Sequence, residues 1–196
     1  CDPYEIHSAL LLERSRQGTW WRVADQLGAL LAELGRRWGN GANTTVTLQM
    51  ANERLNRGLA RCAESLAVPL GAPAVLAASA QGDDHRLGLQ LAELCFREAG
   101  WSVVWGGRGL PITELTACLD QGRCKMLAMS AAAELRDGVG LRLQAEQLGR
   151  ACAQREVRLV LGGAGAWPTP SAELPPFARV HDFRELHELL AGPVRD

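Results

Sequence analysis

No stretch of about 18 or more apolar residues occurs in this 196-residue chain, so no membrane-spanning helix is expected. Neither sign of charge is in excess: 21 Lys and Arg stand against 22 Asp and Glu, a formal net charge of −1. That balance gives no electrostatic case for nucleic-acid contact and leaves no acidic tail. An apolar leader is missing too, because Cys1-Asp2-Pro3-Tyr4-Glu5 is polar and acidic; without Met, this start reads as a fragment or a processed end. The six cysteines, at 1, 62, 95, 118, 124 and 152, show no CxxC spacing. They argue for a reducing cytoplasm rather than a disulfide framework, and no His/Cys pair has the spacing of a zinc site. Cys95 and Cys152 fall in apolar helical stretches, where a thiol acts as a small hydrophobe. A nucleophile–base pair for independent catalysis is also lacking.

What is present is an ordinary globular composition, 47% hydrophobic and 22% charged, in a chain long enough to bury a core. The first 69 residues read as a helical bundle. Ile6, Leu10, Leu11 and Arg14 mark one amphipathic segment, and Gly18-Thr19 breaks it, with Thr19 placed to cap the next. Val23, Leu27, Leu30, Leu31, Leu34 and Trp38 follow at spacings of 3 and 4, up to Gly39-Asn40-Gly41. Asn43 or Thr44 can cap a third helix carrying Val46, Met50, Leu55 and Leu59.

Pro69 to Pro73 marks a boundary, and residues 70–196 alternate strands with helices. Ala74–Ala78 is a short apolar run of the kind buried on both faces of a parallel sheet. Further strands are expected at Trp101–Trp105, Lys125–Ser130, Val157–Leu161 and near Arg179-Val180. Helices between them hold Leu87, Leu91, Leu94 and Cys95; Leu115 and Leu119 after Pro111; Leu141, Leu148 and Cys152; and Phe183, Leu186 and Leu190. The fold class is therefore α/β: an N-terminal helical bundle, then a Rossmann-like, flavodoxin-like doubly wound parallel sheet of five strands in the order 2-1-3-4-5. Such sheets bind ligands beyond the carboxyl ends of their strands, at the switch point between strands 1 and 3.

Three features fall at those strand ends. After the first strand comes Gln81-Gly82-Asp83-Asp84-His85, with Gly88 three residues on. A histidine there can reach out of the crevice as a metal ligand, and a nearby carboxylate can fix its tautomer. Ser130 ends the third strand and can donate or accept at the crevice floor; Gly162 and Gly163 end the fourth and leave room for a flat ligand. Each feature alone has a plainer explanation, as a solvated His, a helix cap or a tight turn. Their convergence on one crevice gives the functional reading its weight.

The pattern Asp83-x-His85-x-x-Gly88, then Ser130, then Gly162-Gly163-Ala164, resembles the cobalamin-binding domain of methionine synthase and related corrinoid proteins. With the preceding bundle it is most similar to the CarH-type photoreceptor regulators. The resemblance implies that His85 replaces dimethylbenzimidazole as the lower cobalt ligand and that Asp83 bonds His85. The displaced nucleotide tail would thread past Gly88, Ser130, Ala132, Gly162, Gly163 and Ala164, with Asp182 and Phe183 beside it. The cofactor would be adenosyl-, methyl- or hydroxocobalamin.

The bundle, in the same resemblance, covers the upper corrin face. Trp38 in Gly35-Arg36-Arg37-Trp38-Gly39 matches the family's Trp, but its following Glu-His pair is replaced by Gln49 and Met50. That puts light-driven bis-histidine ligation in doubt. Trp38 and Met50 equally suit core packing. Ala131-Ala132-Ala133 also departs from the family's pattern after the Ser and implies a roomier tail slot. Six Trp against one Tyr and three Phe fit packing, or a second, bilin chromophore as in the similar photocobilins.

The expectation is a non-enzymatic, light-responsive sensory or transcription-regulatory module, acting as a homo-oligomer or on an effector protein. The alternative is a corrinoid carrier that passes methyl groups between methyltransferases.

Overall fold

The computed structural model describes residues 2–38 and 45–192, without the side chains of residues 3, 34–38 and 45–48. Three helices come first: α1 (Pro3–Gln17), α2 (Trp20–Trp38) and α3 (Thr45–Ser65). The expected turn at 39–41 and the cap at 43 or 44 lie outside the described residues. Asp2 and Glu5 form a reciprocal capping box at the start of α1, and Gly18 ends it in the left-handed region, φ 80°.

The start of α2 differs from expectation. Its first N–H, on Trp20, is taken 2.9 Å away by the Glu98 carboxylate of a later helix. The Thr19 hydroxyl is buried without a hydrogen-bond partner, so no cap bond comes from it. Glu98 also binds Arg14 at 2.6 Å, so one carboxylate ties α1 and α2 to the second half of the chain.

The remainder alternates: β1 (Ala74–Ser79), α4 (Leu87–Glu98), β2 (Ser102–Gly107), α5 (Ile112–Asp120), β3 (Met126–Ser130), α6 (Gly138–Ala153), β4 (Arg158–Gly162), β5 (Ala178–Arg179) and α7 (Phe183–Ala191). All pairings are parallel and the strand order is β2-β1-β3-β4-β5, as the sequence predicts. Strand ends shift by a residue or two, the usual uncertainty at element boundaries.

Alternation along the strands sorts side chains to two cores. Val75, Met126, Ala128 and Val160 face α4 and α7, and Leu76, Leu127, Leu159 and Leu161 face α5 and α6. The bundle joins the first of these: Leu10, Trp20, Val23, Leu59 and Cys62 share a core with Leu91, Leu94 and Phe96 of α4. Three periodic positions leave it, Leu11 being exposed on α1. Leu30 is exposed, and Met50, with 50% of its surface exposed, is not core. Among the described residues, no helix is long and apolar enough to cross a membrane.

Candidate functional site

The carboxyl ends of the three central strands lie level, with Ser79 opposite Ser130 and Ser130 opposite Gly162. From this edge the β1–α4 loop rises. Gly82, at φ 87°, makes the turn that a side chain would strain. Asp83 then folds back under the loop, 3% exposed.

Every bond Asp83 makes holds this loop in shape. Oδ1 accepts from the backbone N–H of His85 at 2.9 Å and lies 2.8 Å from its Nδ1. Oδ2 accepts from the Ala132 N–H at 2.7 Å, across the gap from β3. A carboxylate can only accept, so Nδ1 carries the hydrogen, and in the neutral ring the lone pair is on Nε2. The His85 side chain is 63% exposed, so that lone pair belongs to a ring oriented from below and open above. Asp83 does not cap α4: Arg86 holds the N-cap position with no side-chain bond.

Sequence reasoning missed two supports. Ser79 is fully buried; its hydroxyl donates to the Asp83 carbonyl and accepts from the Gly109 N–H at 2.9 Å, pinning the loop to the β2–α5 turn. Arg179 clamps the end of β4, donating to the Gly163 carbonyl at 2.7 Å, the Leu161 carbonyl at 3.0 Å and the Val180 carbonyl. Burial lowers the pKa of its guanidinium, which the carbonyls accommodate. Both act through backbone atoms, which leave no motif; only a Ser inside an apolar run and an Arg in a strand hint at them.

A slot of about 340 Å³ runs inward between β3 and β4 below and α4 and α7 at the sides. This is within the volume range of small-molecule sites, about 300–1,000 Å³. Gly88, Ser130, Gly162, Gly163, Ala164, Asp182 and Phe183 all line it. Gly163 sits at φ 84°, and a Cβ there would fall 2.3 Å from the Ala131 carbonyl and 3.0 Å from the Ser130 hydroxyl. A Cβ on Gly88 would stand 3.4 Å from that same hydroxyl. The glycines therefore keep space around the one hydroxyl at the slot's entrance. A flat ring with a single acceptor nitrogen fits such a lining: apolar faces and a hydroxyl to donate.

Other expected residues fall elsewhere. Ala132 contributes its backbone N–H to Asp83 rather than a wall to the slot. Asp182 also caps α7, accepting from the Glu185 N–H at 2.7 Å. Gln49 and Met50 are exposed on α3, about one turn before Glu53, which pairs with Arg86 at 3.1 Å beside His85. The Trp38 side chain lies outside the described ones. Trp20, Trp101 and Trp167 are buried in packing, Trp21 stacks on His187, and Trp105 donates to Glu93 at 2.8 Å.

No family model matches the chain, and no curated protein matches it by sequence. Solved structures match it in fold. The monomethylamine corrinoid protein of Methanosarcina barkeri aligns over 94% of this chain and 94% of its own, with a TM-score of 0.66 at 15% identity. A chain of the methanol:cobalamin methyltransferase complex MtaBC from the same organism aligns over 82% of this chain, with a TM-score of 0.52 at 19% identity. This chain spans 63% of that second one's length. The likeness is one of fold: N-terminal helices followed by a five-stranded parallel sheet.

Proposed function

We propose that the chain binds a corrinoid with its nucleotide tail displaced into the slot, His85 serving as the lower cobalt ligand, and carries a methyl group for a partner methyltransferase. The observation that carries this reading is the His85 ring, fixed through Nδ1 by a buried carboxylate and set beside a slot lined by Gly88, Ser130 and Gly163. A lone imidazole suits a metal that arrives already chelated in a macrocycle. When bound, the corrin would supply a cobalt that accepts a methyl group and yields it to a nucleophile.

The chain's own residues do the rest. Asp83 holds the ring's tautomer and raises the basicity of Nε2. Ser130 can donate its hydroxyl hydrogen to the freed benzimidazole nitrogen. Gly88 and Gly163 admit the flat base. The carrier reading is favoured over the sensor because the solved structures of like fold include a corrinoid protein named for monomethylamine and a methanol:cobalamin methyltransferase complex.

A light-responsive sensor remains the second reading. It draws on α3, which passes beside the His85 loop through the Glu53–Arg86 pair and carries exposed Gln49 and Met50 one turn further, where they could cover an upper face. A bilin is tied to this reading alone. Absorption spectra with methyl-, adenosyl- and hydroxocobalamin, in the dark and after illumination, separate the two. The carrier gives a His-ligated, tail-displaced spectrum and loses methyl to a thiol only when a methyltransferase is added. The sensor changes spectrum and oligomeric state on illumination. Wild-type chain that retains no corrinoid after desalting contradicts both.

A further inference from the structure

The lower-ligand scheme leaves the Asp25 carboxylate unused, a polar side chain that lines the slot together with Ser130, His181 and Asp182. Helix α2 packs against α4 and α7 and roofs the slot between them with Asp25, Gly28 and Ala29. The other walls are mainly apolar, including Ala92, Phe96 and Leu186. Asp25 is therefore a carboxylate that the bundle brings to a site otherwise built by the α/β half. Its Oδ1 accepts from the Phe183 N–H at 2.8 Å, and the Arg184 N–H also bonds it, at the start of α7.

Those bonds do not explain why the group is an acid. The start of α7 already has its cap in Asp182, and an Asn or Ser would serve as well for a second one. Burial raises the Asp25 pKa, and the Asp182 charge raises it further, against the two N–H bonds that lower it. The carboxyl is half-buried where α2 meets the slot. A carboxylate has about four acceptor positions, more than two backbone N–H groups fill.

Resting on the corrinoid reading, we propose that Asp25 is a specificity residue for the nucleotide tail, accepting a hydrogen bond from an O–H or N–H donor that the tail carries under α2. Two parts of a tail can present that donor: a ribose hydroxyl, or a polar substituent on the lower base.

The test uses the full chain, wild type and Asp25→Asn, titrated spectroscopically with three aquo-corrinoids. Cobinamide has no nucleotide, cobalamin has the ribose but a base without a donor, and adeninylcobamide has both the ribose and an exocyclic amine. Asp25→Asn weakens binding of tail-bearing corrinoids about 10-fold, the size of one hydrogen bond to a charged acceptor, and leaves cobinamide unchanged. A loss shared by cobalamin and adeninylcobamide assigns the ribose as donor. A loss confined to adeninylcobamide, with wild type preferring it over cobalamin, assigns the base. Unchanged affinity for all three overturns the proposal, as does an equal loss that includes cobinamide. Asp25→Ser, which keeps a capping oxygen, repeats the comparison if the Asn variant does not fold. Wild type that binds none of the three overturns the corrinoid reading itself.

Discussion

At the residue scale the account rests on how tightly Asp83 is held. Its two oxygens meet three N–H groups, so Asp83→Asn replaces one acceptor with a donor facing a donor. Such changes behind a metal-ligating His cost about 10- to 100-fold in metal affinity. We expect that loss in corrinoid retention, measured by equilibrium dialysis, with the His-ligated spectrum weakened; unchanged retention would remove Asp83 from the scheme. Gly163→Ala is the steric counterpart. The added methyl meets the Ala131 carbonyl at 2.3 Å at a positive φ, so stability should fall by about 1–3 kcal/mol in denaturant titration. Gly88→Leu should leave the fold intact and block the slot, because the nearest atom to a Cβ there is only the Ser130 hydroxyl at 3.4 Å.

The side-chain half of the site was legible in the sequence and the backbone half was not. Asp83, His85, Gly88, Ser130 and Gly162-Gly163 declare themselves by residue type and by position after a strand. Ala132 matters through an N–H that any residue but proline has, and Ser79 and Arg179 through bonds to carbonyls. Asp25 gave no signal because it reaches the slot from the bundle, across 158 positions of sequence to Phe183.

Among the elements, helix spacing located α1 to α3, yet Leu11, Leu30 and Met50, which fall on its apolar pattern, are exposed. Periodicity names a face but not what covers it. The start of α2 shows the same limit: a local cap at Thr19 is replaced by Glu98, a partner that only tertiary structure supplies. Because Glu98 joins Arg14, Trp20 and α4, Glu98→Ala should cost about 1–3 kcal/mol and loosen the bundle from the sheet, seen as faster hydrogen exchange in α1 and α2.

Four buried cysteines, Cys62, Cys95, Cys124 and Cys152, add a pH dependence at this scale, because burial raises the pKa of each thiol. Burial pushes the Cys62 thiol, in α3, up to about 11 and the Cys152 thiol, in α6, up to about 12, from an ordinary 9. The folded state binds these protons more tightly than the unfolded chain does. The resulting stability is complete below pH 9 and is lost as pH rises through 11 to 12. The melting temperature should therefore fall over that window, and Cys62→Ala with Cys152→Ala should flatten the fall. A slope unaltered by the double substitution would place the alkaline sensitivity elsewhere.

For the whole molecule, strand order and ligand edge followed from a few physical regularities. Apolar runs bounded by Gly and Pro gave parallel strands, and the switch point between β1 and β3 gave the crevice. The resemblance set the bundle over the upper corrin face and gave no sign of the core it shares with α4. In the structure Leu10, Trp20, Val23, Leu59 and Cys62 share one core with α4, so the helices are built onto the same face that forms the slot. A bundle so placed both roofs the slot and brings α3 alongside His85.

The absorption spectrum of the chain loaded with methylcobalamin and desalted, for wild type and His85→Ala, tests the central claim most directly. The account predicts a stoichiometric, tail-displaced corrinoid with a His-ligated spectrum in wild type, and its loss in His85→Ala. A retained corrinoid whose spectrum is the same in both proteins would contradict it.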